Sequence, residues 1–275
     1  MQRKSLICLF YRMKELILPA TIAKILDNKT YTTDNIGMSN AGVFVFDNAV
    51  LKIQPCSEES TNEAHMLKFL SERQLAPSVL VREIVDGKDF LLMEKCSGKM
   101  LCDSEFLNNP RKLTEIASEA LHKLWNIDVK SCPVDMSLKR KLKLAEHNVT
   151  HDLVELENVN PLTYGANGRF RNPEHLLKWL IDNQPREELA VTHGDFCLPN
   201  VFFDGVSAKV IDVGRGGIAD KYQDIALWYR SFRDNLNGGY GTYYGELDEA
   251  MFFSVLGITA DRDRIDYYIL LDELF

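Results

Sequence analysis

The sequence predicts an α+β fold in two lobes, a small β-rich lobe with one main helix and a larger α-rich lobe. Three observations lead there. Short apolar runs bounded by turn residues occupy 30–54 and 78–93, on either side of a helical stretch at 58–73. After Ser97-Gly98, helix starts of the Asn-Pro type precede apolar stripes of helical spacing. Between 189 and 213, short apolar runs return, each interrupted by one acidic residue beside a glycine. The organisation this implies is an N-terminal extension at 1–12, with Met13 the effective start, a first lobe at 13–95 and a second at 96–275.

In the first lobe, strands are expected at 29–36, 43–46 and 49–54, with Asp47-Asn48 as the tight connection between the last two. The helix at 58–73 carries Glu63, Leu67 and Leu70 on one face. Two more strands, 78–85 and 90–93, flank the turn Asp86-Gly87-Lys88. In the second lobe, Asn109-Pro110 opens a helix whose stripe is Leu113, Ile116, Ala117, Ala120, Leu121 and Leu124. Asn172-Pro173 opens another, with Leu176, Leu177 and Leu180. The stretch 219–275 is expected to be mostly helical.

The 275 residues are enough to bury a substantial core without a disulfide or structural metal. Net charge is -8, and no basic stripe is present, which argues against nucleic acid as a partner. An acidic surface suits a cationic ligand, although solubility alone also accounts for it. Cys8, Cys56, Cys96, Cys102, Cys132 and Cys197 form no C-x-x-C pair and no zinc spacing, so they read as reduced thiols of a cytoplasmic protein. No apolar run approaches the ~20 residues that span a bilayer, so no membrane segment is expected.

The strongest chemical signal is VTHGDFCLPNVFF (191–203), with AKVIDVGR (208–215) as its partner. An acid inside an apolar strand is costly to bury without a cation or a donor. Two such acids, with an Asn five residues after the first, make an oxygen-rich set suited to Mg²⁺ and a hydroxyl. Asp195 is then the group that accepts the proton of an attacking hydroxyl, and Asn200 and Asp212 are the metal ligands. His193 braces the loop. Taken singly, either half also reads as a turn whose Asp caps backbone groups.

In the first lobe, Lys52 is a charge within the apolar run AVLKI, and Glu63 sits on the apolar face of the next helix. Each explains the other if they pair, which is how a kinase fold holds a lysine on the α- and β-phosphates. Alone, Lys52 reads as a snorkelling side chain and Glu63 as an ordinary first-turn acid. The segment IGMSNAGV (36–43) lies where a phosphate-covering loop belongs, and its amides near Ser39 and Asn40 are candidates for phosphate contacts. FLLMEKCSG (90–98) ends the sheet where a kinase hinge would lie.

Together these segments, with VIDVGRGGIADKYQDIALWYRS (210–231) and the terminal YYILLDELF (267–275), resemble the aminoglycoside 3'-phosphotransferases, antibiotic-resistance kinases of protein-kinase-like fold. The resemblance covers about 260 residues, from roughly Met13 to the end. It implies ATP as donor, with GTP the alternative, Mg²⁺ as cofactor, and a small cationic aminoglycoside as acceptor. It implies Asp195 as acid/base, Asn200 and Asp212 as Mg²⁺ ligands, and Lys52 with Glu63 as the phosphate-positioning pair. Backbone adenine contacts fall at Glu94 and Cys96, with Ile211 beneath the base. For the drug, the matching positions are Arg215, Arg230, Asp234, Glu273 and the terminal carboxylate of Phe275, with Glu155 and Glu157 adding negative charge. Val50 departs from the pattern, standing where some relatives carry an aromatic residue against adenine, and the 158–171 stretch is longer and less acidic. A monomer or weak dimer is expected.

Two other readings share these residues. One is a kinase of another small cationic metabolite, such as choline or a ketosamine. The other is a non-catalytic binding module, which intact Asp195, Asn200, Asp212 and Lys52 argue against.

Overall fold

The computed structural model describes residues 11–12, 18–27, 29–34, 42–156, 159–165 and 168–275. They divide into two compact units, Met1–Ser97 and Gly98–Phe275. Composition follows the expected α+β division, with the sheet concentrated in the first unit and helices in the second.

The first unit contains β1 (Tyr11–Arg12), α1 (Ala20–Ile25), β2 (Thr30–Asp34), β3 (Gly42–Val45), β4 (Ala49–Pro55), α2 (Glu58–Ser71), β5 (Val79–Val85) and β6 (Lys88–Glu94). The strands form an antiparallel sheet in the order β1-β2-β3-β4-β6-β5. The β5–β6 hairpin closes through Asp86 (φ 50) and Gly87 (φ 73). Positive φ at both central residues matches the right-handed strand twist, which is why Asp-Gly is a strong hairpin signal. Helix α2 starts at a reciprocal cap: Ser57 Oγ accepts the Ser60 amide and Ser60 Oγ accepts the Ser57 amide. Its buried face carries Glu63, Met66, Leu67 and Leu70.

Two features depart from the sequence expectation. Tyr11 and Arg12 pair with Tyr31 and Thr30, so the sheet begins inside the stretch expected to be an extension. The second is α1, which had no sequence signal. A six-residue helix without a side-chain cap is too short to declare itself by propensity. It forms because Ile22 and Leu26 complete a core with Tyr31, Phe46, Leu51, Phe90 and Leu92. The phosphate-loop candidates Ser39 and Asn40 lie outside the described residues, as does Glu157.

The second unit runs β7 (Lys99–Met100), α3 (Ser104–Leu107), α4 (Pro110–Trp125), α5 (Leu138–Thr150), α6 (Pro173–Asp182), β8 (Leu189–Thr192), β9 (Val201–Phe203), β10 (Ala208–Val210), β11 (Gly217–Asp220), α7 (Lys221–Leu236), α8 (Glu249–Leu256) and α9 (Arg262–Asp272). Asn109 and Asn172 cap α4 and α6 through their side chains, as the Asn-Pro signals predict. The strands form two small sheets, β10-β9-β7 and β11-β8. Helix α7 packs on β8, and its Trp228 meets Phe196, Phe232 and Phe252 in an aromatic core. The aromatic payload of α7 makes that helix a rigid floor for the loop above it.

Candidate active site

Strand β8 delivers the chain into the loop at 193–200, and α7 fixes that loop from below. Asp224, fully buried on α7, accepts the His193 amide at Oδ2 and the Gly194 amide at Oδ1, each at 2.8 Å. Gln223 donates to the Gly194 carbonyl at 2.6 Å. Gly194 has φ 89, and a Cβ there would come within 1.9 Å of the Arg215 carbonyl oxygen, so only glycine fits. His193 is buried between two backbone partners. Its Nδ1 accepts the Asp195 amide at 3.2 Å, and its Nε2 donates to the Ile211 carbonyl at 2.8 Å. An amide only donates and a carbonyl only accepts, so these partners leave the proton on Nε2.

The β9–β10 hairpin brings the two motifs together. Val201 pairs with Val210, and the Ile211 amide donates to the Asn200 carbonyl at 3.0 Å, so Asp212 follows directly beside Asn200. Asp212 has φ 59, a left-handed backbone that costs a non-glycine residue ~1–3 kcal/mol and is characteristic of functional sites. Asn200 Nδ2 donates to the Asp195 carbonyl at 3.0 Å and to its Oδ2 at 3.1 Å. The thiol of Cys197 donates to Asp195 Oδ1 at 3.0 Å. Burial, reinforced by the Asp195 charge, pushes that thiol well above its ordinary value, which keeps it protonated as a donor.

In the first unit, Lys52 Nζ lies 2.9 Å from both carboxylate oxygens of Glu63, and Gln54 Nε2 adds a 2.9 Å bond to Oε2. Lys52 is 8% exposed and Glu63 2%. A buried ion pair gains little stability over an apolar pair of the same volume, so its presence here points to a task other than holding the sheet.

At the C-terminus, Asp272 stands between two guanidiniums, Arg230 at 2.5 Å and Arg215 at 3.4 Å. Burial acts to raise its carboxyl, but Arg230 and Arg215 outweigh it and hold the group below the usual carboxylate range. Glu273 accepts the Asn160 amide at 3.1 Å, and its carboxyl is raised, chiefly by burial. Asn148 of α5 donates to the Leu274 carbonyl at 2.9 Å.

A family model described as phosphotransferase enzyme family matches residues 30–255. An aminoglycoside 3'-phosphotransferase of Enterococcus faecalis is 33% identical, over 96% of this chain and 100% of its own. One from Staphylococcus aureus is 32% identical over the same shares. This chain belongs to the aminoglycoside 3'-phosphotransferase family. Among solved structures, a type VIII aminoglycoside-3'-phosphotransferase superposes with a TM-score of 0.79 at 25% identity, covering 93% of this chain and 97% of its own. The fold is the protein-kinase-like one of such enzymes.

Of the site residues predicted from sequence, the structure brings Asp195, Asn200, Asp212 and Ile211 together, pairs Lys52 with Glu63, and places Arg215, Arg230, Glu273 and Phe275 around the C-terminal tail. Asp234 is engaged by Arg233 Nε at 2.8 Å. Glu94 is exposed and accepts the Ser78 amide at 3.4 Å. Glu155 is exposed on the stretch after α5. Three residues went unread in the sequence. Asp224 resembles an ordinary first-turn helix acid, Gln54 an ordinary strand residue, and Lys141 one of several basic residues in a surface-like helix. None of the three breaks a local rule, so none carried a usable signal.

Proposed function

We infer that this chain transfers the γ-phosphoryl group of ATP to the 3'-hydroxyl of aminoglycosides of the kanamycin and neomycin type, and so confers resistance. One observation carries the reading: in a member of this family, Asp195 is set in a loop anchored by Asp224, with Asn200 bonded to it and Asp212 following the residue that bonds Asn200. Asp195 accepts the hydroxyl proton while the phosphate is attacked. Its carboxylate is aimed by the Cys197 thiol and the Asn200 amide, and its backbone by His193 and Asp224.

Asn200 and Asp212 are the residues to hold Mg²⁺. Asn200 spends its amide nitrogen on Asp195, which leaves its oxygen to offer a cation. No group of three or more His, Cys, Asp or Glu side chains able to hold a metal occurs among the described residues. That sparse set fits Mg²⁺, which takes one or two carboxylates and completes its shell with water and phosphate. When bound, the metal neutralises charge on the transferred phosphoryl. Lys52, held by Glu63, is assigned to the α- and β-phosphates, and Ser39 and Asn40 to the phosphate loop. The backbone at Glu94 and Cys96, with Ile211, is assigned to the base, with ATP as donor and GTP as the alternative.

Cationic acceptors suit Asp234, Glu273, Glu155, Glu157 and the terminal carboxylate, since charge-assisted hydrogen bonds are the strong kind. Arg215 and Arg230 contribute by fixing Asp272. The proposed division is 13–95 for the nucleotide and 96–275 for chemistry and drug. No helix among the described residues is long and apolar enough to cross a membrane. A cytoplasmic monomer or weak dimer, where ATP is abundant, completes the reading.

The test is a kinase assay with kanamycin and neomycin beside tobramycin, which lacks the 3'-hydroxyl. Turnover of the first two alone is expected, and Asp195→Ala should lower it by ~10²–10⁴-fold while drug binding persists. Preferred turnover of choline or a ketosamine would replace the acceptor assignment.

A further inference from the structure

Beyond α7 the chain forms a glycine- and tyrosine-rich loop, 237–245, that the proposed chemistry leaves without a task. Its conformation is encoded. Gly238 (φ 84) and Gly241 (φ 119) take backbone angles that other residues rarely adopt. The Gly239 amide bonds the Asp234 carbonyl at 2.9 Å, and the Tyr244 amide bonds the Leu236 carbonyl at 2.8 Å. The turn between those anchors presents Tyr240, 70% exposed.

A single exposed tyrosine needs no explanation; Tyr240 differs in its company. The face of α7 that carries Leu227 and Ser231 meets the catalytic loop, and Asp234 follows Ser231 by three residues on the same helix. Ser231 Oγ accepts the Leu198 amide at 3.1 Å, and the Cys197 thiol reaches the Leu227 carbonyl at 4.0 Å. The loop continues from the end of that face. The phenol of Tyr240 is raised, first by partial burial and then by the negative charge of Asp234.

We propose that Tyr240 is an acceptor-binding residue whose ring lies against an amino-sugar ring bearing ammonium groups, beside the carboxylate of Asp234. An aromatic face attracts a cation and covers the apolar face of a sugar. The assignment rests on the acceptor class inferred above.

Calorimetric titration with kanamycin, neomycin and tobramycin tests it without requiring turnover, and steady-state kinetics follow on the first two. Tyr240→Ala should weaken binding and raise the acceptor KM by about three- to tenfold. The KM for ATP should stay within about twofold, and Tyr240→Phe should stay near wild type, because the ring and not the hydroxyl is used. Tyr243→Ala, altering the neighbouring exposed tyrosine whose hydroxyl contacts Glu246, should change neither quantity. Unchanged binding in Tyr240→Ala, or an equal loss in Tyr243→Ala, overturns the proposal. Normal acceptor binding by the wild type without any phosphorylation would overturn the catalytic reading and leave the Tyr240 comparison decisive on its own.

Discussion

Asp224 accepts the consecutive amides of His193 and Gly194 through its two carboxylate oxygens, both at 2.8 Å, from a position with no solvent exposure. One buried acid on α7 therefore sets the backbone that presents Asp195. Two charge-assisted bonds to neighbouring amides leave the loop little freedom.

Asp224→Asn keeps one acceptor oxygen and turns an N–H donor toward the other amide. Leaving a buried amide unsatisfied costs ~1–3 kcal/mol. The expected outcome is a lower thermal midpoint together with a kcat at least about tenfold lower, since misplacing a reacting group is expensive. Wild-type kcat in a folded Asp224→Asn protein would show that the loop does not depend on this anchor.

Lys141 of α5 is 4% exposed. Burial, then the positive charge of Arg215, lower it from its ordinary value to about 8, against Asp272, Asp224 and Asp195, which act the other way. A lysine lowered in the folded state costs stability at pH values below that lowered value. The cost fades as pH rises from about 8 towards the unfolded value near 10.5. Lys141→Met should therefore be more stable than wild type at pH 7, by roughly 3 kcal/mol at most. Denaturation curves at pH 7 and pH 10 should show that advantage shrinking. An advantage that grows with pH would contradict the sign.

Removing Glu63 takes a carboxylate partner from the buried Lys52 ammonium. Glu63→Ala should destabilise the protein by ~3–5 kcal/mol, the usual consequence of breaking a buried pair from one side. It should also raise the KM for ATP more than that for the acceptor. Replacing both residues with Met should recover much of the stability and none of the activity. Denaturant titration and kinetics on the three proteins separate the structural from the chemical contribution.

Deleting Phe275 moves the terminal carboxylate back by one residue. It also removes a ring that lies 5.9 Å from the Lys141 ammonium and 5.6 Å from the Arg215 guanidinium. Steady-state kinetics should show the acceptor KM rising more than the ATP KM. Equal changes would place the tail outside the acceptor site.

Much of the site was legible because its residues violate local rules. Asp195 and Asp212 interrupt apolar runs of sequence, Lys52 interrupts an apolar strand, and Glu63 occupies the apolar side of a helix. Each is a local cost that some partner must offset, and such conflicts are visible in a string of letters. Residues that obey local rules were invisible. Asp224 stands in a first helical turn, where acids are ordinary. Lys141 lies in LKRKLK, which reads as a solvated face. Helix α1 exists because a sheet is there to receive Ile22 and Leu26.

The tail shows the same boundary. Asp272, Glu273 and the terminal carboxylate read as three negative charges gathered for a cationic ligand, yet Asp272 is held by Arg230 and Arg215, whose partners lie 42 and 57 residues away in sequence. Sequence alone determined the α+β division, the family, the acid pair with its asparagine, and the lysine–glutamate pair, since these depend on periodicity and on charges placed where charges are costly. Tertiary structure alone decided which carboxylates remain to meet a ligand and which are spent holding the protein together. The reason is physical: a charge is written in the chain, but its neutralisation depends on which distant side chain packing brings within a hydrogen bond of it.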